Sequence, residues 1–97
     1  MVESAIALRI ANGAPPTMLA ENYRQLANCY AKQSNPDYNK AFANYNKSID
    51  IYKNLPLGSG APMQKVVMLD YAKALEDFGQ AAQAKDMREK ANSLQQM

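Results

Sequence analysis

An all-α fold of antiparallel helices is what this sequence predicts, on three observations. Apolar and small residues recur with a helical period over most of the chain, and no alternating strand pattern competes. Proline, glycine and an Asn-Pro step divide the chain into lengths typical of globular helices. A spaced pattern also occurs twice: Tyr23-x2-Leu26-Ala27-x2-Tyr30 is answered by Met68-x2-Tyr71-Ala72-x2-Leu75. Each copy leads into a helix rich in small residues, Ala41-x3-Tyr45-x2-Ser48 and Ala84-x3-Arg88-x2-Ala91.

Glu3 to Ile10 reads as the end of a helix, with Ala5, Ile6, Leu8 and Ile10 apolar and Asn12-Gly13 as its stop. Pro15-Pro16 open the next helix, because proline is tolerated in a first turn but not in an interior. That helix runs from Thr17 to about Gln33, with a stripe at 19, 20, 23, 26, 27 and 30. Ser34-Asn35-Pro36-Asp37 is a turn: the residue before proline resists αR, and Asp37 can cap the next helix. A helix over Tyr38–Asn54 is expected to bury Ala41, Tyr45, Ser48, Ile49 and Tyr52. Pro56 to Pro62 is the clear loop. A helix from about Ala61 to Phe78 uses Val67, Met68, Tyr71, Ala72 and Leu75. Gly79 ends it, and Gln80 to about Gln95 forms the fifth helix, with Ala81, Ala84, Met87, Ala91 and Leu94 on one face.

The composition narrows the function classes. Ninety-seven residues fit one domain near the low end of what buries its own core. The 11 basic and 9 acidic residues are scattered, unlike the clustered basic footprint of a nucleic-acid binder. With no His, every His-dependent catalytic scheme is excluded, and a metal site would be all-carboxylate. Cys29, the one cysteine, forms no intramolecular disulfide and reads as a packed small residue. No apolar run approaches the ~20 residues that span a bilayer, and no signal peptide opens the chain, so the cytoplasm is favoured. The sequence offers no nucleophile–base pair, phosphate-binding glycine loop or metal motif, and neither an enzyme nor a cofactor is expected.

The large–x2–large–small–x2–large helix followed by a small-residue helix resembles the tetratricopeptide repeat. The resemblance covers about Ala5 to Leu94. Ala72 to Ala91 is 19 residues, the family's standard offset, while Ala27 to Ser48 is 21, with two additional residues placed in the Ser34–Asp37 turn. Positions 5, 48 and 91 are each 43 residues apart, so residues 3–11 look like the second helix of a preceding repeat. That spacing is similar to the long-repeat variety of kinesin light chains rather than to the ~34-residue form. The resemblance implies a single domain over residues 1–97, with a leading helix 3–11, one repeat at 17–54 and another at 61–95, stacked as a short right-handed superhelix and forming a piece of a larger array. Arg88 departs from the aromatic that the family prefers at its position.

In this family the first helix of each repeat lines a concave groove that binds other chains. By register that presents Glu21, Arg24, Gln25, Asn28 and Lys32 from the first repeat, and Val66, Leu69, Asp70, Lys73 and Asp77 from the second. Arg24 and Asn28, one turn apart, are a cation and an amide able to hold a carboxylate together. They are similar to half of the clamp that grips the acidic tails of heat-shock chaperones. Asp70 stands where that clamp needs an Asn, and would repel a terminal carboxylate. A generic peptide groove using Arg24, Asn28, Asp70 and Lys73 is the expected site.

Other constellations read as structure. Tyr45 and Tyr52 are core fillers, and Lys40, Lys47 and Lys53 a solvated face. Asp70 with Lys73 and Asp86 with Lys90 have the spacing of weak helix ion pairs. The expected function is non-enzymatic binding of a protein or peptide, without nucleic acid or membrane. The alternative is a self-associating repeat, a homodimer that covers half-exposed end helices.

Overall fold

The computed structural model describes residues 13, 15–55 and 60–94 of the chain. Within them the protein is all-helical, with no strand: α1 Pro16–Lys32, α2 Tyr38–Lys53, α3 Ala61–Asp77 and α4 Ala81–Ser93. The expected leading helix at 3–11, the centre of the connecting loop and the last turn towards Gln95 lie outside the described residues.

Each boundary has a local cause. Proline stands in the first turn of both α1 and α3, where its missing N–H removes no helix hydrogen bond. Asp37 caps α2, its Oδ1 accepting from the Lys40 backbone N–H at 3.1 Å. The end of α3 is a Schellman arrangement. Gly79, at φ 90°, donates to the Glu76 carbonyl (3.0 Å), and Gln80 donates to that of Leu75 (2.8 Å). The five residues 33–37 separate α1 from α2, whereas three, 78–80, separate α3 from α4. The first turn is therefore two residues longer than the second.

Successive helices run antiparallel. Between α1 and α2 the partners count in opposite directions: Ser48 Oγ donates to the Ala20 carbonyl (2.7 Å), Lys47 lies over Tyr23, and Lys40 over Tyr30. Next, α2 meets α3 through stacked Tyr45 and Tyr71, 5.2 Å between centroids, and α3 pairs with α4. A narrower edge joins α1 to α3. Helices come this close because alanine stands at each crossing: Ala20, Ala27, Ala41, Ala72, Ala84 and Ala91 are fully buried. Tyr45, Tyr52 and Val67, with Leu26, Met68 and Leu75, are the larger side chains of the core, each contributing ~1.5–3 kcal/mol by burial. Gly60 enters α3 against the Tyr52 carbonyl, where any Cβ would stand 2.1 Å from the oxygen.

Several expectations need correction. Ala81 is exposed on the fifth expected helix, and Ile49 is half-buried rather than buried, while Tyr71 and Met87 do pack, half-buried, against the core. Cys29 is exposed rather than packed, because it looks outward from the stripe that Leu26 and Ala27 bury. Asp86 does pair with Lys90 (3.1 Å), but Lys73 reaches Asp77 (3.7 Å) and not Asp70, which faces α1. Arg88 ties α4 to α3 by an ion pair with Glu76 at 2.6 Å.

Candidate functional site

The narrow edge between α1 and α3 gathers most of the groove residues expected from sequence. Glu21 and Arg24, three apart on α1, meet on one helix face and form a two-pronged pair, Oε1 to Nη2 at 2.6 Å and Oε2 to Nε at 3.1 Å. The remaining fork of Arg24, Nη1, donates to Asp70 Oδ2 across the gap at 2.8 Å. Asn28, one turn along, donates from Nδ2 to the same oxygen at 3.1 Å. Asn28 Oδ1 in turn accepts from the Tyr45 hydroxyl. One chain of polar contacts thus links three helices.

Electrostatics follow from this chain. The hydrogen bond to Glu21 and then that to Asp70 hold the Arg24 guanidinium charged, its pKa raised despite partial burial. Burial pushes the Tyr45 phenol well above its ordinary range, and the nearby Asp70 carboxylate pushes it further. Tyr45 is therefore a neutral hydroxyl donor, fixed on Asn28.

Beside this network lies a cavity of about 120 Å³ lined by Asn28, Lys32, Tyr45, Asp70, Lys73 and Asp77. Lys73 is 74 % exposed at its rim. Val66 and Leu69 stand exposed on the same helix as Asp70, and Cys29 opens with Gln25 and Gln33 onto a broader hollow next to it. Arg24, Asn28 and Asp70 are thus brought into one contact set, and Lys73 stands close by without joining it. What sequence reasoning missed is that Asp70 itself occupies the cation-and-amide pair. The signal for Glu21 was its spacing from Arg24. None existed for Tyr45, whose ring reads as filler.

Among the described residues no group of three or more Cys, Asp and Glu side chains is placed to hold a metal ion, and no helix is long and apolar enough to cross a membrane. No protein-family model, no curated protein and no solved structure matches the chain.

Proposed function

We propose that this chain is a non-enzymatic interaction module of tetratricopeptide type, its helix pairs stacked as part of a right-handed superhelix, which binds an extended peptide along the α1–α3 face. One observation carries the reading: α1 and α3 set a polar network, Arg24–Asp70–Asn28, beside exposed Val66 and Leu69. Exposed apolar side chains next to fixed hydrogen-bonding groups suit a peptide that offers backbone amides and apolar side chains.

The geometry favours one ligand chemistry over another. Glu21 and Asp70 already neutralise Arg24, and Asn28 is committed on both sides of its amide. An acidic tail gains nothing there, so the chaperone-tail chemistry is set aside. Both described bonds to Asp70 fall on Oδ2, while Asp70 lines the cavity, so its Oδ1 suits a peptide N–H and Lys73 a peptide carbonyl. A random peptide library displayed on phage tests this. The expected winners carry apolar side chains, lack terminal acidic runs, and lose about tenfold or more in affinity for an Asp70→Ala, Lys73→Ala double variant. Absence of enrichment, or winners indifferent to both changes, refutes it.

Self-association is a second reading, favoured by the exposure of Met63, Val66 and Leu69 on one helix. Sedimentation equilibrium that shows only monomer at hundreds of micromolar removes it.

A further inference from the structure

A further cavity, of about 470 Å³, opens between the 33–37 turn and Phe78 at the end of α3, and shares only Gln33 with the hollow beside Cys29. One wall is apolar: Pro36, Tyr38 and Phe78. The other is amide: Gln33, Asn35 and Asn39, all exposed and with no described side-chain hydrogen bond. The 33–37 turn supplies part of both walls.

The aromatic wall is held firmly. The Schellman arrangement at Gly79 fixes the backbone at Phe78, whose ring tilts against Tyr38 at 4.8 Å and meets Phe42 edge-on at 5.7 Å. Phe42 is stacked on Tyr71, and Tyr71 on Tyr45, so the wall is the outer end of a continuous aromatic ladder. Phe78 nevertheless remains 48 % exposed, the most exposed large apolar side chain among the described residues. A large aromatic ring fixed in place but left wet marks a contact surface.

The lining chemistry discriminates between ligands. Asp37 is the lone charged residue of the cavity and caps α2 from within, so the pull of a helix N-terminus on anions is already met and phosphate-like ligands are disfavoured. What remains is a flat apolar surface beside three uncharged amide groups rich in N–H donors. A polyproline II segment is the complement. Its pyrrolidine rings lie on aromatic faces, its carbonyls have no internal partner and need donors, and its preformed shape costs little entropy to bind. We propose that this cavity is a docking site for a proline-rich, acid-free peptide segment, with Tyr38 and Phe78 as the platform and the Asn35 and Asn39 amides donating to the peptide's carbonyls.

The test is an amide-shift titration of the whole chain with decaproline, and with a Gly-Ser peptide of equal length as control. Decaproline is expected to shift the backbone signals of Tyr38, Asn39 and Phe78 and to leave those of Arg24 and Lys73 in place. Phe78→Ala and, separately, the solvent-facing Asn39→Ala are each expected to weaken binding about tenfold. The second keeps the test valid should the first disturb folding. Shifts confined to α1 and α3 would overturn the proposal, as would the absence of shifts at millimolar peptide. Equal shifts from the Gly-Ser control would overturn it too. The groove reading rests on other residues, and the Asp70→Ala, Lys73→Ala variant should bind decaproline unchanged, so the two can fail separately.

Discussion

Replacing Asp70 by alanine removes the polar contact between α1 and α3. Two hydrogen bonds are lost, from Arg24 at 2.8 Å and from Asn28 at 3.1 Å. A charge-assisted bond is worth ~1.5–3 kcal/mol when enclosed, and an exposed ion pair only ~0–1. These side chains are 23 % and 32 % exposed, and Arg24 keeps its pair with Glu21, which places the loss between those limits. The expected destabilisation is therefore ~1–2 kcal/mol. For a domain of this size each kcal/mol lowers the melting midpoint by about 4–8 °C, well within reach of circular dichroism. A double-mutant cycle with Arg24→Ala should return a coupling of ~0.5–1.5 kcal/mol, whereas Asp77→Ala, which breaks an exposed 3.7 Å pair, should cost less than ~0.5. The variant also frees Arg24 Nη1 and Asn28 Nδ2, so it should gain affinity for a peptide ending in a carboxylate. A melt superimposable on that of the parent, with no coupling to Arg24, would refute this view of the network.

Gly60→Ala should cost at least ~1–3 kcal/mol, because the new methyl meets the Tyr52 backbone and not a side chain that could swing away; an unchanged melt would show that α3 does not enter so close to α2. Ala72→Leu places a large side chain at a fully buried helix crossing and should also cost ~1–3 kcal/mol by thermal melt. Burial raises the phenol pKa of both Tyr45 and Tyr52, so the folded state holds those protons more tightly than the unfolded chain does. Their contribution to stability is complete below the ordinary tyrosine pKa of about 10 and is lost as pH rises beyond it. An ultraviolet titration of tyrosinate should accordingly show Tyr45 and Tyr52 ionising above the ordinary tyrosine pKa and in step with alkaline unfolding.

Local chemistry is legible in the sequence, and cross-chain placement is not. Helix boundaries follow from Pro16, Asp37, Pro62 and Gly79, whose preferences act over a few residues. The buried alanines follow from the repeated pattern, since a residue without a long side chain at a recurrent stripe position marks close approach. Of the site, the spacing of Arg24 and Asn28 reveals a joint carboxylate holder, but not the carboxylate held. Asp70 lies 46 residues from Arg24, and at i,i+3 spacing Lys73 looks the nearer partner. Which cation Asp70 meets depends on the gap between α1 and α3, which no periodicity encodes. Cys29 escapes the sequence reading for a related reason: on a helix only one residue removed from the stripe, exposure turns on whether a neighbouring helix covers that flank. The Phe78 cavity is hidden because its walls come from two separate turns.

The central claim is that the α1–α3 face receives a peptide. Its most direct test is to map a library-selected peptide onto the chain by backbone amide shifts. The signals of Arg24, Asn28, Asp70 and Lys73 are predicted to move together with those of Val66 and Leu69. Shifts clustered instead at Lys40, Lys47 and Lys53, on α2, would contradict the claim.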